Sequence, residues 1–373
     1  SGSENRYVIF IEGTTREFYE SQLEPDTAIA PTPQIVSVEA FGLFLSALMI
    51  QHPGCSLLYS LNAARIDFIP YQFRPALKFI RSERPRLLIA DGVGVGKTIE
   101  AGLVLREMQA RTDVQSVLII CPRALITERK WELEMKRFDE RFIALDGPAL
   151  RLCVNETDLE GRWPEKHQKV IVPYSLLDEA LLYGEGKRHN RRRRKGLLDL
   201  DPPPRFDLVI VDEAHHIRNP ETYSHQAVSF FCEHAEAAVF LTATPIQLRS
   251  RDLYMLLRVL RPDLIIDKDS YDNMAEPNPF INQAISQARA GEADWQAQAD
   301  LALQQAESTA WGQAVLRHHP EFTVCRRDLQ NGEMSKPQRV EMIRRIEDLH
   351  TFSGIINRTR RRDIGDFTIR KPE

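Results

Sequence analysis

One stretch, Arg86–Met108, constrains the fold of this chain more than any other. An apolar run from Arg86 to Ala90 leads into a glycine-rich segment, and from Lys97 onward apolar residues recur at helical spacing. The stretch therefore predicts a strand, a loop and a helix. Its loop combines glycines that let backbone N–H groups face an anion, a lysine that reaches nucleotide phosphates and a threonine hydroxyl suited to Mg²⁺. These residues are Gly94, Val95, Gly96, Lys97 and Thr98.

The phosphate-loop pattern is incomplete at its start. The full pattern has a glycine five residues before Gly96, where this chain has Asp91. An ordinary glycine-rich turn is the alternative interpretation. The strand before the loop and the amphipathic helix after it favour a nucleoside triphosphate site.

Strand and helix patterns alternate from Ala64 onward. Near-continuous apolar strands separated by helical crossovers predict an α/β fold whose mostly parallel sheet is covered by helices on both faces. Ligands of such sheets bind at the carboxyl ends of the strands. The predicted strands are Arg86–Ala90, Ser116–Cys121, Lys169–Val172, Asp207–Val211 and Ala238–Leu241. The predicted helices are Lys97–Ala110, Leu125–Phe138, Ser175–Leu182, His225–Glu236 and Asp252–Leu260.

The composition of the chain limits its number of domains, its cellular compartment and the partners that it can bind. With 373 residues the chain is long enough for two or three domains, and its net charge of −4 means that any nucleic-acid surface must be local. Its five cysteines show no paired or metal-ligand spacing, which favours a reduced, cytoplasmic setting. The longest apolar run, Ala40–Ile50, is shorter than the roughly 20 residues that cross a bilayer, so no membrane partner is expected.

Two further constellations follow predicted strands. Asp212 and Glu213 follow an apolar strand, where an aspartate can hold Mg²⁺ and a glutamate can orient and deprotonate an attacking water. Thr242 and Thr244 follow the next strand and can hydrogen-bond the acidic pair. A helix N-cap and an ordinary pair of strand-end threonines are the respective alternatives.

The sequences GVGKTIEAG, VDEAHH and LTATP, in this order and spacing, resemble motifs I, II and III of superfamily 2 helicases. Together with VLIICPRALITERKWELEMKRF, they are similar to Swi/Snf-type double-stranded-DNA translocases, most closely to the bacterial RapA/HepA-like branch. Residues Ile69–Gln72 resemble the glutamine motif that reads adenine, Cys121–Leu125 resemble motif Ia and Val172–Leu177 resemble motif Ib. The resemblance covers residues 64–373 and implies a RecA-like lobe that uses ATP and Mg²⁺.

The resemblance also implies roles for individual residues. Gln72 selects adenine, and Lys97 binds the β- and γ-phosphates. Thr98 and Asp212 hold Mg²⁺, and Glu213 activates water. The residues that couple nucleotide state to lobe movement are His215, Thr242 and Thr244. Gly92 stands where the family usually has glutamate, and Ile69 replaces the arginine that is usual in eukaryotic remodellers.

Candidate nucleic-acid contacts come from three places. Motif Ia supplies Arg123, and motif Ib supplies Tyr174 and Ser175. The basic run within Tyr183–Pro204, predicted to be a mobile insertion, supplies Arg191, Arg192, Arg193 and Arg194, although a solvated loop is the alternative. A metal site at His215 and His216 is disfavoured because no second ligand pair lies at helical spacing.

Four segments make up the predicted domain organisation. Residues 1–3 are expected to be a cloning remnant, and residues 4–63 an N-terminal β-hairpin and helical segment. Residues 64–275 form the predicted ATP-binding lobe. Residues 276–373 are expected to hold a helical insertion and a link to a second RecA-like lobe that is missing from this chain. Without the arginine fingers of that lobe, worth roughly 10³–10⁵ in rate, the chain is expected to bind ATP and hydrolyse it poorly.

The leading functional expectation is the motor lobe of an ATPase that translocates on double-stranded DNA and remodels protein–nucleic acid complexes. Its expected protein partner is RNA polymerase or a defence-system protein. One alternative is the motor component of a bacterial restriction or phage-defence system. Another is an ATP-gated clamp on DNA or protein with weak turnover.

Overall fold

The computed structural model describes residues 6–11, 14–19, 58–59, 69–92, 94–184, 195–243 and 250–359. The chain divides into two compact units, residues 1–54 and residues 55–373. In the first unit, strands β1 (Arg6–Ile11) and β2 (Thr14–Tyr19) pair antiparallel, with Ile11 opposite Thr14. The pairing of these two strands matches the hairpin predicted within residues 4–63. The turn of that hairpin at Glu12 and Gly13, and the helical part of the segment, predicted over residues 35–51, lie outside the described residues.

The second unit contains a seven-stranded sheet in the order β5-β6-β4-β7-β8-β3-β9, and each neighbouring pair of strands is parallel. This confirms the α/β fold with a parallel sheet. The strands are β3 (Arg86–Ile89), β4 (Val117–Cys121), β5 (Ile143–Ala144), β6 (Lys169–Pro173), β7 (Leu208–Val211), β8 (Ala237–Leu241) and β9 (Ile356–Asn357).

Helices connect the strands and continue beyond them. Those that connect or border the sheet are α1 (Arg74–Arg81), α2 (Lys97–Gln109), α3 (Arg123–Thr127), α4 (Lys130–Met135), α5 (Gly147–Glu160), α6 (Glu179–Tyr183), α7 (Tyr223–Glu233) and α8 (Ser250–Leu260). Those that follow are α9 (Lys268–Ala275), α10 (Asn278–Ala290), α11 (Trp295–Ser308), α12 (Ala310–Ala314), α13 (Pro320–Gln330) and α14 (Lys336–Asp348). Short 3₁₀ turns occupy Pro70–Phe73, Lys136–Phe138, Glu165–His167, Tyr174–Leu176, Leu197–Asp199, Ala214–Ile217 and Leu316–His318.

Both faces of the sheet are buried. Successive strand residues point to opposite sides, so each strand contributes side chains to both faces. On β7, Leu208 and Ile210 join the apolar cluster under α1, α2 and α4, whereas Val209 and Val211 join the cluster under α5, α7 and α8. Each fully buried aliphatic side chain of this kind stabilises the fold by about 1.5–3 kcal/mol. The near-continuous apolar strands are therefore explained by two cores, one on each face of the sheet.

A buried arginine anchors the amino end of β3. Arg86 donates to the carbonyl oxygens of Cys232 (2.6 Å), Ala235 (2.9 Å) and Leu260 (3.3 Å). These carbonyls lie at the ends of α7 and α8 and in the turn after α7, where helices leave acceptors unsatisfied. The charge of Arg86 is thus placed where the helix dipoles favour a cation.

The structure corrects several sequence predictions. The single helix predicted over Leu125–Phe138 is broken at Arg129, whose φ of +52° is left-handed. Part of the insertion predicted to be mobile is packed, because Leu197 and Leu200 are buried in the core beside α5 and α6. The prediction missed α5, although it has an Asp146 N-cap that accepts from the Ala149 N–H (2.8 Å).

The polar stretch after α9 is more regular than predicted. Helices α10, α11, α13 and α14 enclose an apolar core of their own, which includes Ile281, Trp295 and Phe322. After α14 the chain returns to the sheet as β9, which pairs with β3. Among the described residues, no helix is both long and apolar enough to cross a membrane.

Candidate functional site

The predicted phosphate loop connects β3 to the first residue of α2. Gly94 and Gly96 have φ values of +81° and +106°, which side chains rarely tolerate. A Cβ at Gly96 would also lie 2.4 Å from the Gln72 amide nitrogen, so a side chain there would displace the Gln72 amide. Because Gly96 is the N-cap of α2, the free N–H groups of the helix begin at the loop.

Lys97 bends back across the loop that precedes it. Its Nζ donates to the carbonyl oxygens of Asp91 (3.2 Å) and Gly92 (3.4 Å). Thr98, the next residue, is buried. The ammonium group therefore lies at the loop, where a bound polyphosphate needs a counter-charge.

The predicted adenine-reading residue also contacts the loop. Gln72 donates from Nε2 to the carbonyl oxygen of Val95 (3.1 Å), and the Tyr71 hydroxyl donates to the same oxygen at 3.1 Å. Only 6% of Gln72 is exposed. The structure thus brings Gln72 and the phosphate loop together, although 23 positions separate Gln72 from Val95.

Asp91, which departs from the phosphate-loop pattern, has a structural partner at the end of β9. Its Oδ1 accepts from the Thr359 N–H (2.6 Å) and the Asn357 amide (3.4 Å). Its carboxyl neighbours that of Glu100 on α2, and burial raises the pKa of both groups, most strongly that of Glu100. Sequence reasoning missed this cluster because nothing local signals a strand at Ile356–Asn357.

The acidic pair follows β7, at the edge of the sheet where the phosphate loop follows β3. Only 4% of Asp212 is exposed, and burial, together with the charge of Glu213, raises its pKa. Glu213 has a left-handed φ of +48°, which places its side chain, 29% exposed, differently from that of a strand residue. His215 Nδ1 lies 3.3 Å from Glu213 Oε2, and its ring stacks on His216 at 4.6 Å.

Two buried aromatic residues hold this acidic segment. The Tyr174 hydroxyl donates to the backbone oxygen of Asp212 (2.8 Å), and the Trp131 indole N–H donates to Asp212 Oδ2 (3.0 Å). From the sequence, Tyr174 is predicted as a nucleic-acid contact, and Trp131 has no predicted role beyond the apolar core. Tyr174 is 9% exposed and its hydroxyl bonds the backbone of Asp212, so it supports the acidic pair, and its contact with nucleic acid stays a prediction.

Strand β8 lies between β7 and β3, and it positions Thr242 between the acidic pair and the loop. Thr242 is fully buried, and its N–H donates to the Ile89 carbonyl at 3.0 Å. Two intervals of strand spacing separate β7 from β3, about 10 Å in all. Thr244 lies outside the described residues.

The other candidate nucleic-acid contacts fall into two groups. Arg123 and Ser175 are exposed, and each lies two residues beyond the paired positions Cys121 and Pro173 of β4 and β6. The structure therefore brings motif Ia and motif Ib together at the carboxyl edge of the sheet. The basic run Arg191–Arg194 lies outside the described residues.

The residues at this edge fit ATP with Mg²⁺. The candidate magnesium ligands, the Thr98 hydroxyl and the Asp212 carboxylate, offer the hard oxygen atoms that Mg²⁺ prefers. The loop supplies glycine backbone, and a Cβ at Gly94 would meet no atom of the described residues within 4 Å. Lys97, Thr98 and Asp212 are thus the residues that would hold a magnesium nucleotide.

Comparison with known proteins gives concordant matches. The family model described as the SNF2-related domain matches residues 51–346. RNA polymerase-associated protein RapA of Yersinia enterocolitica is 29% identical over 340 residues, which cover 90% of this chain and 32% of the relative. RapA of Yersinia pseudotuberculosis is 28% identical over 339 residues, with the same two coverages of 90% and 32%. This chain therefore spans about a third of the length of these curated relatives.

Solved structures of low sequence identity also match. The SWI2/SNF2 ATPase core of Sulfolobus solfataricus in complex with dsDNA has a TM-score of 0.44 and 17% identity, and the match covers 82% of this chain and 47% of the other. The SWI2/SNF2 ATPase core domain of the same organism has a TM-score of 0.42 and 16% identity, with coverages of 79% and 60%.

Proposed function

Since this chain belongs to the SNF2-related domain family, we propose that it is the ATP-binding motor lobe of a double-stranded-DNA translocase. In this proposal, ATP hydrolysis is coupled to the remodelling of protein–nucleic acid complexes. The observation that carries it is the placement of the phosphate loop and the acidic pair after β3 and β7 of one parallel sheet, so that both lie at its carboxyl edge.

The proposed roles follow from this placement. Lys97 binds the β- and γ-phosphates, and the N–H groups at the start of α2 bind phosphate oxygens. Gln72, held at the loop, selects adenine. Thr98 and Asp212 hold Mg²⁺, which when bound neutralises charge on the transferred phosphoryl group. Glu213 orients and deprotonates the attacking water.

We assign the coupling of nucleotide state to lobe movement to residues that lie beside the acidic pair or between it and the phosphate loop. His215 contacts Glu213 directly, and Thr242 lies on the strand between the acidic pair and the loop. Thr244 belongs to the same predicted set. We assign to these residues the transmission of nucleotide state to a second motor lobe, which this proposal requires.

The proposed DNA-contacting surface begins at Arg123 and Ser175. Both are exposed beyond adjacent strands, and a duplex binds such a surface mainly through its phosphates. Residues 278–348 are a weaker candidate because acidic residues outnumber basic ones there. The curated relatives are named as RNA polymerase-associated, so we propose a transcription complex as the remodelled target.

Nucleotide binding is the first test. A fluorescent ATP analogue should bind the unmodified chain and Glu213→Gln, whereas Lys97→Ala should lose binding by at least 10-fold. Lys166→Ala, which changes an exposed lysine on the 3₁₀ turn Glu165–His167, is the matched control and should bind like wild type. Equal loss of binding in Lys97→Ala and Glu213→Gln would contradict the role of Glu213 as the water activator.

Duplex binding is the second test. Fluorescence anisotropy with a short DNA duplex should show weaker binding for Arg123→Ala and a smaller dependence of affinity on salt. Arg162→Ala is the control, because Arg162 is an exposed arginine that pairs with Glu165 (2.9 Å). If duplex DNA changes neither nucleotide binding nor ATP turnover in a protein that carries both motor lobes, the translocase proposal fails, and a nucleotide-gated clamp explains the site instead.

A further inference from the structure

Trp131 is the second residue of α4, and its side chain is almost fully buried at 1% exposure. Its indole N–H nevertheless serves a polar group, because it donates to Asp212 Oδ2 at 3.0 Å. We propose that Trp131 is a positioning residue for the magnesium site, which orients the Asp212 carboxylate and so sets the affinity for Mg²⁺-nucleotide. This inference rests on the proposed function of the site.

The two oxygens of the Asp212 carboxylate are held in different ways. Oδ1 accepts from the N–H of Glu213, the next residue, at 2.8 Å. This local bond moves with the backbone at Asp212. Oδ2 is held from a separate element, since 81 positions separate Trp131 from Asp212. The indole bond therefore fixes the carboxylate plane relative to the rest of the lobe.

Such orientation matters for the expected ion. Mg²⁺ demands near-ideal octahedral geometry, and small rotations of a ligand carboxylate move its oxygen away from the required position. Hydrogen bonds to metal-ligating groups typically change metal affinity by about 10–100-fold. A rigid donor such as a buried indole is well suited to this task because it has few rotamers.

The segment that carries Trp131 is itself fixed at both ends. Arg129 and Asp139, with φ values of +52° and +54°, bracket α4 and its following 3₁₀ turn. Non-glycine residues persist in this conformation only where surrounding structure enforces it. At the far end of the segment, Phe138 packs so closely on α2 that a Cβ at Gly102 would lie 2.3 Å from its ring.

These contacts connect the two halves of the nucleotide site. Helix α2 begins at Lys97, and Gly102 is on its second turn. The segment 130–138 therefore packs on the phosphate-loop helix through Phe138 and holds the acidic pair through Trp131. A buried indole N–H needs an acceptor, and here that acceptor is the carboxylate of the candidate magnesium ligand Asp212.

The test replaces the N–H group of the Trp131 indole. Benzothienylalanine, incorporated at position 131, keeps the bicyclic shape of tryptophan and substitutes sulfur for the N–H. The matched control places the same residue at Trp163, which is also buried and donates its indole N–H to the His167 carbonyl at 2.7 Å. Binding of a fluorescent ADP analogue is measured across a Mg²⁺ titration and separately in EDTA.

The change at position 131 should raise the half-saturating Mg²⁺ concentration about 10-fold and leave nucleotide affinity in EDTA unchanged. The change at position 163 should alter neither quantity. Trp131→Phe should shift the Mg²⁺ titration in the same direction, with an additional loss of thermal stability from its smaller ring.

Two outcomes would overturn the inference. One is a Mg²⁺ titration for the position-131 analogue that superimposes on that of wild type. The other is an equal loss of nucleotide affinity with Mg²⁺ and with EDTA, which would mean a packing role only. Failure of the wild-type chain to bind nucleotide is a separate result, which would overturn the proposed function and this inference with it.

Discussion

Arg86 and Asp207 at the amino edge of the parallel sheet are more fully hydrogen-bonded than Asp91 and Glu213 at its carboxyl edge. At the amino edge, Arg86 satisfies three carbonyls, and Asp207 Oδ2 accepts from the N–H groups of Gln115 (2.8 Å) and Ser116 (2.7 Å) and from the Ser116 hydroxyl (3.0 Å). At the carboxyl edge, Asp91 Oδ2 meets no hydrogen-bond donor within the described parts of the chain, and Glu213 Oε2 has the His215 ring nitrogen 3.3 Å away without a hydrogen bond.

The difference indicates that the polar groups at the amino edge stabilise the fold, whereas those at the carboxyl edge serve the chemistry of the site. Buried groups with complete hydrogen bonding stabilise a fold, whereas buried acceptors without donors cost free energy. Unsatisfied groups and strained backbone are therefore expected where a ligand supplies the missing partners. Substitutions at the amino edge should lower the free energy of unfolding, and at least one substitution at the carboxyl edge should raise it.

The largest effect is expected from Arg86→Met. Three carbonyl oxygens at the amino edge lose their donor, so the free energy of unfolding should fall by about 4 kcal/mol. Urea denaturation measures this loss. The control is Arg84→Met, which removes an exposed arginine that lies 3.5 Å from Asp263 and should cost less than about 1 kcal/mol. Equal losses in the two variants would break the proposed contrast between the edges.

The second prediction concerns His350 and the dependence of stability on pH. It tests whether an ionisable side chain outside the candidate site affects stability through its protonation state. Burial, followed by the charges of Arg358 and Lys78, lowers its pKa from 6.5 to about 4. Between these values the unfolded chain binds a proton that the folded chain does not. The neutral ring therefore contributes about 3 kcal/mol to the free energy of unfolding above pH 6.5, and this contribution is lost as the pH falls towards 4.

The measurement is urea denaturation of wild type and His350→Gln at a series of pH values. Glutamine cannot take up the proton, so its stability should depend less on pH in this interval. His318→Gln, at an exposed position, should keep the wild-type dependence. Parallel pH curves for wild type and His350→Gln would show that this ring does not contribute.

Asp207→Ala should have a smaller effect at the amino edge. The N–H groups of Gln115 and Ser116 lose their acceptor, and because Asp207 is only half-buried, water replaces part of the interaction. A loss of about 2 kcal/mol in the free energy of unfolding is expected. Asp207→Asn should lose less, since its amide oxygen can accept the same bonds. An asparagine variant as unstable as the alanine variant would indicate that charge decides this contact.

Glu213→Gly should give the smallest effect and the opposite sign. Glycine removes the strain of a left-handed residue but costs backbone entropy, so a net gain of about 0.5 kcal/mol in stability is expected. In a protein that carries both motor lobes, the same change should abolish ATP turnover. Thermal denaturation and an ATPase assay measure the two quantities. Asp139→Gly, with a similar φ of +54°, is the control and should keep nucleotide binding. A less stable Glu213→Gly variant would contradict the assignment of strain to this edge.

The sequence predicted the sheet well because its signals are local. The five apolar runs coincide with β3, β4, β6, β7 and β8 to within one residue at either end. The phosphate-loop and acidic motifs could be found for the same reason, since glycine, lysine and carboxylates at strand ends have a direct chemical meaning. Their placement at one edge follows from parallel strand topology.

The missed features depend on contacts between distant positions. No sequence pattern predicts that two residues, Ile356 and Asn357, add a strand beside β3, because so short a strand has no measurable periodicity. The bond from Trp131 to Asp212 was hidden by the apolar character of the indole. The helix break at Arg129 was missed because arginine is an ordinary helix former.

Strand β9 has a mechanical consequence. The Ala90 N–H donates to the Asn357 carbonyl (2.8 Å), the Gly92 N–H donates to the Thr359 carbonyl (3.3 Å), and the Thr359 N–H donates to Asp91 Oδ1 (2.6 Å). A force that pulls the chain beyond Thr359 along the strand direction therefore loads these bonds in shear before it reaches the apolar core. The tension is borne by Ala90, Asp91 and Gly92, which lead into the phosphate loop. Under the proposed function, nucleotide binding at this loop is therefore sensitive to load.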